Sequence, residues 1–83
     1  FWVDSKANSG IFLRCPTSGE ITQMNAYEVN IFDAHKTWPT GSINDVAATK
    51  KKQKTVGKWN TYEIVADGER LVVKLNGKLT VDR

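Results

Sequence analysis

The stretch Glu28-Val29-Asn30-Ile31-Phe32-Asp33 holds two carboxylates and an amide between apolar residues. On an extended strand, residues two apart share a face, so Glu28 and Asn30 stand about 7 Å apart on the same side. Asp33 points the other way on a regular strand, and a single bulge after Asn30 brings it round to the Glu28 face. Three polar groups in a line can hold a sugar or divide acid and base roles between them. Retaining glycosidases place two carboxylates roughly 5 Å apart, and inverting ones leave a wider gap that admits a water. Glu28 and Asp33 lie too far apart on one strand for the first arrangement. Either the pair activates a water or one of its members is not catalytic. The competing reading makes Glu28 and Asn30 the solvent face of a half-buried strand.

Other residues fit a polar ligand site. Arg14 can meet a carboxylate with two parallel hydrogen bonds. Asn8, Asn44, Asn60 and Glu63 add hydrogen-bonding groups near strand ends. Sugar sites pair such groups with an aromatic face, for which Trp2, Trp38 and Trp59 are the candidates. Trp59, beside Tyr62 and Ile64, reads as core. Trp38, in a loop before Pro39, reads as the better platform. His35 sits in that loop two residues after Asp33, and imidazole titrates in the range that suits proton transfer. The expected catalytic set is therefore Glu28, Asp33 and His35. The expected ligand-binding set is Arg14, Asn30, Trp38, Asn44, Asn60 and Glu63.

Other chemistries find little support. Cys15 is the only cysteine and His35 the only histidine, so neither a zinc site nor a Cys/His nucleophilic pair is expected. Cys15 reads as a small buried residue or an exposed thiol. No metal and no cofactor is expected. The net charge of +3 owes much to Lys50, Lys51, Lys52 and Lys54. No aromatic residue interleaves with these lysines, so the run reads as a solvated loop and nucleic acid is not an expected partner. No apolar run reaches the roughly 20 residues that span a bilayer, so no membrane association is expected.

The elements that position these residues read as strands throughout. Trp59 to Ala66 is rich in β-formers. Asp67-Gly68 marks a turn, and Leu71 to Leu75 forms the next strand. Asn76-Gly77 is a strong hairpin signal, because both central positions of a type I′ turn need positive φ. Leu79 to Val81 then begins a third strand of an antiparallel meander. Ala26 to Phe32 alternates Tyr27, Val29 and Ile31 on one face with Glu28, Asn30 and Phe32 on the other. Gly10 to Arg14 places Phe12 and Arg14 opposite Ile11 and Leu13. Ser42 to Ala48 is a sixth candidate, after the Pro39-Thr40-Gly41 turn. Ala47 to Lys54 lacks an apolar stripe and reads as loop despite its helix-favouring composition. Cys15 to Gly19 and Ala34 to Gly41 are loops of the kind that border binding sites.

At 83 residues the chain is a single all-β domain, with only roughly 60% of its unfolded surface available for burial. Both ends read as cut from a sheet, so either the sequence is a fragment of a larger domain or two copies pair to complete the sheets, giving a homo-oligomer whose strand edges are protected.

Several segments fall in the order found in a known family. They are Asn8-Ser9-Gly10-Ile11-Phe12-Leu13-Arg14, Tyr27-Glu28-Val29-Asn30-Ile31-Phe32-Asp33, Thr40-Gly41-Ser42-Ile43, Gly57-Lys58-Trp59-Asn60-Thr61-Tyr62-Glu63-Ile64 and Leu75-Asn76-Gly77. The chain resembles the 3-keto-disaccharide hydrolase domain over nearly all its length. The resemblance implies an antiparallel jelly-roll sandwich of the concanavalin A-like lectin/glucanase type. It also implies a 3-keto-glycoside or related carbohydrate as ligand and a periplasmic or secreted location. The family domain is about twice as long, and its usual Gln after the Glu-Val pair is the shorter Asn30 here. If the site is complete, the resemblance implies a glycoside-cleaving enzyme; the residues themselves then favour Glu28 for acid/base work, with Arg14 orienting it. The alternative is a non-catalytic module that forms a homodimer and recognises glycans or a protein.

Overall fold

A computed structural model describes residues 1–15, 17–21 and 26–83. The Cys15–Gly19 loop anticipated above includes Pro16, which lies outside the described residues. The described chain is all-β, with five antiparallel strands in two sheets: β1 (Ser9–Leu13), β2 (Tyr27–Ile31), β3 (Tyr62–Asp67), β4 (Arg70–Leu75) and β5 (Lys78–Asp82). β1 and β2 form one sheet, and β3, β4 and β5 form a meander in chain order.

The meander follows its turn chemistry. Asn76 and Gly77 both take positive φ, at 52° and 79°, as a type I′ hairpin requires. Gly68 takes φ 59° as the first residue of the two-residue β3–β4 turn, a position that favours glycine. The register slips once: Val73 pairs with Val81 and Lys74 with Leu79, so Thr80 is the extra residue on β5.

The two sheets close on a shared apolar core. Val29 from β2 and Ile43 from the segment beside it meet Leu71, Val73 and Val81 from the meander. Leu13, Tyr62 and Ile64 flank this cluster. Alternation accounts for the choice of residues: Tyr62 and Ile64, then Leu71, Val73 and Leu75, point inward, while Glu63, Val65, Arg70, Val72 and Lys74 point outward.

Three expected elements differ. Trp59 to Asn60 is not strand, and β3 begins only at Tyr62. Ser42 to Ala48 is not a full strand. Its first residues extend the β1–β2 sheet, since the Asn30 amide donates to the Ser42 carbonyl and the Asn44 amide to the Glu28 carbonyl, both at 2.9 Å. Asp45 then takes φ 61°, and the Val46 and Ala47 amides both return to the Ile43 carbonyl, closing a tight turn. β1 ends one residue early, because Arg14 turns into the left-handed region at φ 53°. Ala47 to Lys54 is irregular, as its lack of an apolar stripe implied, and Lys50, Lys51, Lys52 and Lys54 are all exposed. Cys15 is a half-buried free thiol.

Tyr62 ties the sheets together at their polar seam. Its hydroxyl donates to the Asn30 carbonyl and accepts from the Gly41 amide, each at 2.6 Å. Burial pushes this hydroxyl well above the ordinary phenol range, which keeps it protonated as a donor. Tyr62→Phe removes a donor and an acceptor from a covered site while keeping the ring. It is expected to cost about 1–3 kcal/mol, a drop of roughly 4–20 °C in the melting midpoint of a domain this size. Thermal circular dichroism measures it.

Candidate functional site

β2 carries the candidate site on its face away from the core. β1 lies on one side, with Phe12 paired to Glu28 and Gly10 to Asn30. The Ser42–Asn44 segment lies on the other, its Ile43 bridged to Val29. Asn44 is thereby set beside Glu28, and its amide nitrogen donates to Glu28 Oε1 at 2.8 Å. Asn44 Oδ1 is enclosed and accepts no hydrogen bond among the described residues. A satisfied pair of this kind fixes the carboxylate, whereas an enclosed acceptor without a donor is costly and calls for an explanation.

Gly10 completes the arrangement. The Glu28 side chain lies directly over its Cα, where a Cβ would stand 2.8 Å from Glu28 Cγ and 2.9 Å from Cδ. Only glycine leaves room for this. Gly10→Ala is tolerated by the strand backbone but must displace the Glu28 carboxylate. The expected result is a folded variant whose Asn44 side-chain amide resonances move to the positions of an amide no longer bonded to Glu28, read by nitrogen-15 NMR.

Asn30 closes one end of the row. It is 2% exposed, and its Nδ2 donates to the Trp38 carbonyl at 2.5 Å. The 34–41 loop is thereby tied to Asn30, and Val29, Asn30 and Ile31 are all buried, so this strand is not half-exposed along its length. Within that loop the Thr37 and Trp38 amides donate to His35 Nδ1 at 3.1 and 2.8 Å. His35 thus caps its own loop through Nδ1, and its ring meets Phe32 edge-on at 5.7 Å. Glu28, Asn30 and Asn44 share one row, and Trp38 and His35 are joined to it through the Asn30 amide.

The other anticipated residues go elsewhere. No bulge follows Asn30, and the β1–β2 register runs unbroken to Ile31. Asp33 sits in a turn, where its carboxylate accepts from Thr40 Oγ1 at 2.5 Å, the Thr55 amide at 2.7 Å and Thr55 Oγ1 at 2.6 Å. Burial opposes its charge, but these bonds outweigh burial and hold its carboxyl below the ordinary range. Asp33 lines a cleft of about 380 Å³ with Val3, Asp4, Phe32, Lys54 and Val56, and Glu28 is not among the lining residues.

Arg14 donates to the Gly68 carbonyl and so tethers the end of β1 to the β3–β4 turn rather than orienting Glu28. Its left-handed backbone takes it out of the Phe12 face. Asn60 is buried; its Nδ2 donates to the Thr55 and Lys58 carbonyls, both at 2.9 Å, and its Oδ1 accepts from Asn76 at 3.0 Å. Glu63 lies on the outer face of the meander, paired across the strands with Lys74.

Trp59 is 80% exposed, not core. It precedes β3, and the alternation that buries Tyr62 and Ile64 does not extend back through Asn60-Thr61. Sequence reading passed over Thr40 and Thr55, because nothing local announces a partner for Asp33 that lies 22 residues away.

A family model described as a 3-keto-alpha-glucoside-1,2-lyase-like domain matches residues 1–83. No curated protein and no solved structure matches the chain.

Proposed function

The chain belongs to the 3-keto-disaccharide hydrolase family, described by its 1,2-lyase-like domain, and from that premise we propose that it binds a 3-keto sugar on the Glu28 face and cleaves it by elimination. The observation that carries the proposal is the Glu28–Asn44 pair, seated over Gly10 on the sheet face away from the core. It supplies one carboxylate held in place by a side-chain amide.

The chemistry needs one good base rather than two glycosidase carboxylates. A ketone at C3 acidifies the hydrogen on C2, because the electrons left behind delocalise onto the ketone oxygen. The Glu28 carboxylate takes that proton, and the C1–oxygen bond breaks as C1=C2 forms. The leaving oxygen takes a proton from water, Glu28 returns its own to water, and the sugar departs as an unsaturated ketone. General-base assistance of this kind contributes on the order of 10²–10⁴ in rate. Asn44 acts as a positioning residue. Asp33, engaged by three hydrogen bonds, serves the architecture on this reading, and His35 holds the loop over Asn30.

The test incubates the chain with methyl 3-keto-α-glucopyranoside and follows release of methanol by proton NMR. Release is the expected result. No release, together with no rise in melting temperature at millimolar sugar, would remove the proposal, since a bound ligand must stabilise the folded state.

A second reading, a homodimeric binding module, draws on the outer face of the meander. There Val65, Val72 and Leu79 lie among Glu63, Arg70, Lys74 and Asp82. Its mark is a solution mass twice the 9.3 kDa of one chain.

A further inference from the structure

Asn76 and Gly77 form the tip of the β4–β5 hairpin. Asparagine followed by glycine is the pair most prone to lose its side-chain amide, because glycine has no side chain to shield its own nitrogen. The Gly77 nitrogen attacks Asn76 Cγ, and the new C–N bond closes a five-membered succinimide. The C–Nδ2 bond breaks, and Nδ2 leaves as ammonia with the proton that the Gly77 amide gives up. Water then opens the ring at either carbonyl. The product is an aspartate or an isoaspartate at this position, with one water consumed and one ammonia released.

The fold opposes the first step. Gly77 is exposed, so water reaches the pair, and the restraint is conformational. The Asn76 side chain is turned toward the segment before β3. Its Oδ1 accepts from the Thr61 amide at 2.9 Å, and its Nδ2 donates to Asn60 Oδ1 at 3.0 Å. The Asn76 backbone amide donates to the Thr61 carbonyl at 2.8 Å. Ring closure must swing Cγ onto the Gly77 nitrogen. That breaks both side-chain bonds and takes the Asn76 backbone out of the conformation that a type I′ turn fixes.

Neither product restores these bonds. A carboxylate has no N–H for Asn60 Oδ1, and it faces both that oxygen and Gln53 Oε1, which lies 3.5 Å from Nδ2. The Asn60 amide does not turn over to compensate, because its own Nδ2 is held by the Thr55 and Lys58 carbonyls. Isoaspartate also adds a methylene to the main chain of a two-residue turn, whose length sets the Leu75–Lys78 pairing. The damage passes from Asn60 to Thr55, which is a donor to Asp33.

We propose that Asn76-Gly77 is a deamidation site that the fold keeps latent, released when the hairpin opens, and that its conversion makes unfolding irreversible. Chemical change of the open chain is a recognised route to such irreversibility. The site is separate from the Glu28 row and stands whether or not Glu28 acts on a sugar.

Mass-spectrometric peptide mapping tests it, on the whole chain kept at mildly alkaline pH in buffer and in concentrated guanidinium chloride. In denaturant the peptide covering residues 75–78 is expected to convert, its mass rising by the difference between O and NH. In buffer the conversion is expected to be slower by on the order of 10–100-fold, since opening breaks two side-chain hydrogen bonds. Asn76→Asp, which mimics one product and tolerates the same backbone, is expected to melt about 4 °C or more below the wild type. An Asn76→Asp chain that does not fold is the extreme of the same weakening. Equal conversion rates in buffer and denaturant, no conversion in denaturant, or an Asn76→Asp melting midpoint at or above that of the wild type would overturn the proposal.

Discussion

Glu28→Gln is expected to lower kcat on a 3-keto-α-glucoside by a factor on the order of 10²–10⁴ and to leave KM within a fewfold. Gln keeps the length and shape of the side chain. Its Oε1 can still accept from Asn44 Nδ2, and it still fits over Gly10, where there is no room for anything larger. What it loses is the negative charge that takes the C2 proton. A melting midpoint close to that of wild type, measured alongside, assigns the loss to chemistry rather than to folding. Asn44→Ala should fall between the two in rate, because it removes the group that aims the carboxylate and not the base itself. An unchanged kcat for Glu28→Gln takes Glu28 out of the mechanism.

The largest expected effect on stability is at Asp33. Its carboxylate gathers Thr40 and Thr55 into one cluster through three hydrogen bonds, joining the end of β2 to two loops. Asp33→Ala leaves the Thr55 amide and two hydroxyls without their acceptor and is expected to cost about 2–4 kcal/mol. A domain of this length sits near the lower end of the usual 5–15 kcal/mol range, so such a loss consumes much of its stability. Urea titration measures it.

The sign of the pH dependence follows from the lowered carboxyl. The folded state holds Asp33 ionised to lower pH than the unfolded chain, whose aspartates titrate near about 3.9. The stabilisation is complete above that value and disappears as pH falls through the folded one. Asp82 beside Arg70 shifts in the same direction. The informative quantity is therefore the difference between wild type and Asp33→Asn, which should shrink as the pH is lowered from 5 to 2. A difference that stays constant over this window would show that the Asp33 charge contributes nothing.

The sequence carried the meander because its signals are local. Asn76-Gly77 and Gly68 satisfy backbone conformations that few other residues tolerate, and the alternation around Val73 and Leu75 is read two residues at a time. The row of Glu28 and Asn30 was legible for the same reason. Asn44 was legible as a polar group, but its place beside Glu28 comes from the Ile43–Val29 bridge, which no local pattern encodes.

The misreadings share a cause. Asp33, Asn60 and Arg14 look like ligand-seeking groups in one dimension. In three dimensions their partners are Thr55, Asn76 and Gly68, between 16 and 54 positions away. Trp59 was assigned to the core by continuing a strand period through Asn60-Thr61, where the chain instead pairs with its first residues.

The central claim is that the sugar sits on the Glu28 face, and a nitrogen-15 NMR titration with methyl 3-keto-α-glucopyranoside tests it most directly. The predicted result is saturable shifts of the backbone amides of Gly10, Glu28 and Asn44, together with the side-chain amide of Asn44. Shifts confined to Val3, Asp4, Ala34, Lys54 and Val56 around the Asp33 cleft, or no shifts at all, would contradict it.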